Sequence, residues 1–211
     1  MTRPARPGRR PIAAAVALLL IAGCPLPQPL PDYPPGAVTP PRILMDQLER
    51  REALIRVPAG CPTDPSYELA ASLIDTNTTE PVTARWFVDY DPRNSSACTP
   101  ARPQSVIQGP GDEASDPTLR QVPAYPFRPY DHLPVVGGGA ADAPGAVHVV
   151  ELVVSNRFDG AADFVELCAP DSPTPFPYRT ALRDGSVQFE TQTYRWVFVN
   201  VPPSAEVPCP L

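Results

Sequence analysis

Two runs near the middle of the chain alternate apolar and polar side chains, and they restrict the fold more than any other feature. In Tyr67–Asp75 the residues Tyr67, Leu69, Ala71 and Leu73 share a face; in Val82–Tyr90 the set is Val82, Ala84, Trp86, Val88 and Tyr90. A period of two belongs to the β-strand, whose side chains point alternately to opposite faces. Thr76 to Pro81 between them is a polar turn, so the two runs read as a hairpin.

The same signal returns in Val147–Ser155. Phe158-Asp159-Gly160 then turns the chain back into Asp163–Cys168, and a last run, Val187–Val201, ends at Pro202-Pro203. In residues 42–57, Leu44, Leu48 and Ile55 fit a helical face, but a short first strand, a charged turn at Glu49–Glu52 and a second strand at Ala53–Val57 fit better. Asp91–Gly145 is irregular and Pro-rich, with short strand candidates at Ser105–Ile107, Thr118–Val122 and Leu133–Val136. No amphipathic helix of any length and no internal repeat appears. Turn-separated strands of this kind predict a mainly β chain, an antiparallel two-sheet sandwich with long Pro-rich loops. With its Trp in an early strand, the pattern resembles immunoglobulin-like or fibronectin-like extracellular modules. The resemblance is architectural, because residues 67–75 lack the Cys of antibody domains.

The first residues carry an address. Arg3, Arg6, Arg9 and Arg10 precede the apolar run Ile12–Ala22, and small residues follow. These are the three parts of a secretory signal. As a helix the run would cover ~16 Å, about half the hydrocarbon core, which argues against a permanent span. Ile21-Ala22-Gly23-Cys24 resembles the bacterial lipobox. That resemblance implies diacylglycerol on the Cys24 thiol, cleavage before Cys24, and an outer-membrane destination, since Pro25 stands where inner-membrane retention uses Asp. Residues 25–41 hold eight prolines, giving a semi-rigid polyproline tether of up to ~50 Å. The expected organisation is a signal peptide at 1–23, lipidated Cys24 and tether at 24–41, and one domain at 42–211.

Removing residues 1–23 takes four arginines and no acid from a chain of formal charge −6, leaving −10. So acidic a chain is a poor partner for nucleic acid or anionic headgroups. With Cys24 assigned to lipid, Cys61, Cys98, Cys168 and Cys209 remain, an even number suited to disulfides in an oxidising compartment. A zinc site is disfavoured by the absence of short ligand spacing and by the presence of only two histidines. The hairpin and an antiparallel final strand favour Cys61–Cys98 and Cys168–Cys209, each closing ~40 residues; the other pairings stay open.

Chemistry-bearing motifs are few. His132 beside Asp131 is the one adjacent His–acid pair, with no glycine-flanked nucleophilic Ser nearby, and His148 falls within a strand. Asp89-Tyr90-Asp91 and residues 111–116 supply carboxylates of the kind calcium takes, but Pro92, Arg93 and Asn94 depart from an EF-hand loop. Tyr125, Phe127, Arg128 and Tyr130, on a proline-stiffened segment, are the best ligand-binding candidates, as stacking surfaces for a sugar or peptide. The alternative is that these rings strap their segment onto the sandwich. Phe176-Pro177-Tyr178 invites the same two readings. Together the features predict a lipid-anchored envelope protein with a non-catalytic binding or structural domain, without cofactor or metal. Its partners would be the membrane, through its lipid, and an envelope protein or cell-wall glycan. A glycan-binding surface module and an envelope hydrolase are the alternatives.

Overall fold

Of ten strands among the described residues, eight carry the apolar faces of the sequence into two layers. The ten are β1 (Arg42–Ile43), β2 (Leu54–Pro58), β3 (Tyr67–Ile74), β4 (Val82–Val88), β5 (Ser105–Ile107), β6 (Leu119–Phe127), β7 (Val147–Ser155), β8 (Leu182–Arg183), β9 (Val187–Gln188) and β10 (Gln192–Val201). The computed structural model describes residues 39–91, 99–109, 116–133, 139–158, 182–183 and 187–210. The chain divides into Met1–Ala37 and Val38–Leu211, and every described residue belongs to the second unit.

One sheet has the order β1-β3-β6 and the other β2-β10-β7-β4-β5, with β8-β9 a separate ribbon. Immunoglobulin-like sandwiches place strands A, B and E in one sheet and G, F and C in the other, with C′ beside C in the variable type. Here β1-β3-β6 follow the first order and β10-β7-β4-β5 the second. Trp86 stands on β4, the C position, where antibody domains keep a buried Trp. The two-sheet sandwich is antiparallel as expected except at one edge. β2 runs parallel to β10, from Leu54 opposite Val197 to Pro58 opposite Val201.

The expected 67–90 hairpin does not form. β3 lies between β1 and β6, whereas β4 lies between β7 and β5 in the other sheet. Leu69, Ala71 and Leu73 from β3 share one core with Val82, Ala84 and Trp86 from β4. Two apolar faces are buried as well by facing each other across a sandwich as by lying side by side. Asp75 fixes the arch between them. One carboxylate oxygen accepts the Asn77 backbone N–H at 3.0 Å, and the other accepts the Asn156 side-chain amide at 3.0 Å, joining the end of β3 to the residue just past β7.

An aromatic array fills the core. Trp86 stacks on Tyr125 with ring centroids at 5.3 Å and on Trp196 at 5.7 Å. Tyr194 meets Trp196 edge-on at 4.5 Å, and Phe198 lies 4.5 Å from Phe127 and 5.2 Å from Tyr67. The indole N–H of Trp196 donates to the Arg50 carbonyl at 2.9 Å, and the Tyr194 hydroxyl donates to the Arg51 carbonyl at 3.1 Å. The charged turn at 49–52 is thus held by polar ends of core rings, a role well suited to Tyr and Trp.

Other boundaries moved for identifiable reasons. The strand expected at 118–122 runs on to Phe127 because β6 is the last strand of its sheet, where Pro123 and Pro126 break no ladder on the open side. A bulge absorbs the mismatch where Leu69 faces Tyr125 but Ala71 faces Val122. The run at 187–201 is broken, since β9 pairs with β8 and β10 pairs with β7 and β2. Leu133 is exposed outside any strand, and residues 134–136, 163–168 and Phe176-Pro177-Tyr178 lie outside the described residues.

Cys61 is bonded to Cys209, 148 residues away, with Cα atoms 5.5 Å apart. This overturns both favoured pairings, Cys61–Cys98 and Cys168–Cys209. The parallel β2–β10 pairing is the cause: Cys61 follows β2 and Cys209 follows β10, so both leave one end of the same sheet. Cys24, Cys98 and Cys168 lie outside the described residues.

Candidate functional site

A concavity among the described residues lies on the outer face of the larger sheet, where the β3–β4 connection, β5 and the segment after β7 meet. It is a groove of about 380 Å³. β4 builds its floor by parity: Val82, Ala84 and Trp86 turn inward to the core, which sends Thr83 and Arg85 outward. Arg85 is only 2% exposed. Its Nε donates to Gln104 Oε1 at 3.2 Å, and its guanidinium carbon lies 3.9 Å from the Phe158 ring centroid. Stacking on an aromatic face is a favourable seat for a guanidinium.

In the lining Arg157 is exposed and Glu80 half-buried, and Val106 of the β5 edge is 53% exposed. Arg157 is therefore the one exposed charge of the described lining, a guanidinium on an acidic chain. The amides of Gln104 and Asn156 add hydrogen-bonding capacity.

Buried polar contacts hold the groove. Asn156 is fixed by Asp75, whose carboxyl is pushed up by burial, against the pull of the Asn77 N–H, Arg120 and Asn156. Arg120, also buried, donates to the carbonyls of Pro117 at 2.6 Å and Asn77 at 3.4 Å. Gly109 packs against this network; a Cβ there would lie 3.1 Å from the Thr78 carbonyl oxygen.

The opposite end of the sandwich gathers the titratable groups. His148 on β7 is fully buried, and its Nδ1 lies 2.6 Å from Asp89 Oδ2. Asp89 follows β4 with a left-handed φ of 51°, and its other oxygen accepts the Val149 N–H at 2.6 Å. Asn and Asp tolerate this backbone region better than most residues. His132 stacks on Phe127 at 5.5 Å and meets His148 edge-on at 6.5 Å. Burial pushes His132 down, whereas it pushes Asp64 up.

The sequence paired His132 with Asp131; the fold instead joins His148 to Asp89, 59 residues earlier, and brings His132 beside them. No local spacing announces such a pair. The Asp89 oxygens serve His148 and Val149, and Asp116 accepts from the Thr118 N–H and hydroxyl, so these two of the carboxylates weighed for calcium have protein partners. Residues 111–115 lie outside the described residues, and among those described no His/Cys/Asp/Glu group of three is arranged to hold a metal ion.

The stacking surface expected at Tyr125, Phe127, Arg128 and Tyr130 is corrected. Tyr125 is 7% exposed and Phe127 fully buried, both within the core; only Arg128 is exposed. Tyr130 packs on the core, donates its hydroxyl proton to the Pro58 carbonyl and accepts the Cys61 N–H at 3.3 Å. These rings strap the segment down, because strand alternation on β6 turns Tyr125 and Phe127 inward. No protein-family model matches the chain, and no curated protein matches it.

Proposed function

We propose that this chain is a lipid-anchored protein of the bacterial outer membrane whose immunoglobulin-like sandwich is a non-catalytic binding module. The groove beside Arg157 is its recognition surface. The observation that carries the reading is the groove itself, a concavity lined by the exposed Arg157 and held by buried polar contacts. It lies where the β3–β4 connection and the segment after β7 converge. In variable immunoglobulin domains the corresponding end bears the recognition loops; the parallel is one of position, not of descent. The exposed Arg157 favours a partner with a carboxylate, so an acidic segment of another envelope protein suits the groove better than a neutral glycan. The Pro-rich tether would give the module its reach.

A second reading, an envelope hydrolase, draws on the Asp89–His148 pair, which supplies a base and its orienting carboxylate. Two observations weigh against it. His148 is fully buried between Phe127 and its cross-strand neighbour Phe198, and its Nε2 has no hydrogen-bond partner among the described residues.

In-cell cross-linking of the tagged chain followed by mass spectrometry tests the proposal. One dominant envelope partner is expected, lost in Arg157→Glu and lost from the membrane fraction in Cys24→Ala. Cell-wall glycan recovered in place of a protein would move the assignment to a glycan-binding module. Ester or amide hydrolysis abolished by His148→Ala would establish the enzyme instead.

A further inference from the structure

Histidine is the side chain whose ordinary pKa falls between pH 5 and 8. The chain has two, 16 positions apart, and the fold sets their rings 6.5 Å apart in a single corner. Both touch Phe127: His132 stacks on it and His148 meets it edge-on at 6.0 Å. His148 is anchored by Asp89, while His132 belongs to the segment after β6. The same segment carries Tyr130, whose hydroxyl bridges the Pro58 carbonyl at the end of β2 and the Cys61 N–H. A ring that can acquire a charge therefore sits two residues from the clamp holding β2 to the start of the disulfide.

We propose that this corner is a proton-operated latch. With His132 neutral, its ring seats residues 128–133 on Phe127, and Tyr130 clamps the β2–Cys61 junction. Adding a solvent proton to His132, beside His148, unseats the segment and loosens that junction without breaking the disulfide.

The groups facing His132 come from every element around it. Asp131 lies on its own segment, Asp89 follows β4, His148 is on β7 and Asp64 precedes β3, with Arg128 near Asp64. Burial disfavours the charged ring and His148 acts in the same direction, whereas the three carboxylates oppose them; the net direction is down, so burial prevails. A histidine whose folded pKa lies below 6.5 gives a folded state that binds fewer protons than the unfolded chain. The seated state is therefore fully stable above pH 6.5 and loses stability as pH falls from there through the folded value.

NMR of the whole chain in detergent micelles from pH 8 to 4.5 reads the latch directly, with two imidazoles to assign. His132 is expected to titrate below 6.5. Once intrinsic exchange rates are divided out, opening at the Cys61 amide and at residues 128–133 should grow by about tenfold per pH unit across that window, the slope of one proton. His132→Phe preserves a ring on Phe127 but removes the base, so those amides should stay protected at acid pH. His132 titrating at or above 6.5, pH-independent opening, or the same acid opening in His132→Phe would each overturn the latch. If His132→Phe fails to fold, the wild-type titration and exchange profile decide between the two.

Discussion

Asp75 shows how much one residue can hold together. Its two carboxylate oxygens close the turn after β3 and fasten Asn156 beyond β7, so it acts on turn and sheet packing at once. Truncating one partner of a buried hydrogen bond leaves the other unsatisfied, at about 1–3 kcal/mol. Asp75→Ala is therefore expected to destabilise the domain by about 2–3 kcal/mol in urea unfolding, with Asp75→Asn recovering part by keeping an acceptor for Asn77. The carboxyl is raised by burial, so the folded state holds a proton more tightly than the unfolded chain. As pH rises from 3.8 through the folded value, that group's contribution falls. The loss should be smaller in Asp75→Asn, as pH-dependent melting would reveal. Nothing in the local sequence singled out Asp75; its partner Asn156 is 81 residues away.

At the level of elements, β6 is the instructive strand. Pro123 and Pro126 made the sequence read as though the strand stopped at Val122. An edge position turns those same prolines into protection, because an open ladder invites pairing with a second chain. Arg102 adds to the cover by donating to the Ala124 carbonyl at 2.7 Å. Replacing both prolines by Thr should leave the fold intact but promote self-association, detectable as concentration-dependent growth in light scattering. No change in mass across the concentration range would count against this role for the prolines. The strap after β6 is testable separately. Tyr130→Phe removes the hydroxyl between Pro58 and Cys61 and should cost about 1 kcal/mol, with faster exchange at the Cys61 amide even at neutral pH.

For the whole molecule, the Cys61–Cys209 bridge matters most. It spans 148 residues, so almost the entire domain lies within the loop it closes. On the chain-entropy account a loop of that size is worth about 5 kcal/mol. Cys61→Ser with Cys209→Ser should lower unfolding stability by an amount approaching that figure, checked by denaturant unfolding without reductant. If Cys24 carries lipid, as proposed, the Cys61–Cys209 bond leaves Cys98 and Cys168 as the remaining two cysteines, and non-reducing peptide mapping is expected to recover them as a pair.

Sequence by itself determined which residues of two strands face the core: the inward residues of β3 and β4, Trp86 among them, follow from a period of two. It also carried the charge, the Pro-rich run at 25–41 and the lipobox resemblance at Cys24, all of which are read from composition and local order. Tertiary structure alone decided which strands became neighbours, which cysteines met, and which histidine found a carboxylate. The physical reason is that alternation specifies a face and is silent about the sheet on which that face lies. β3 and β4 present apolar faces that either a hairpin or a sandwich would bury, and only the packing of all the strands together selects the sandwich. Once β2 lay parallel to β10, Cys61 met Cys209, and once β4 lay beside β7, Asp89 met His148.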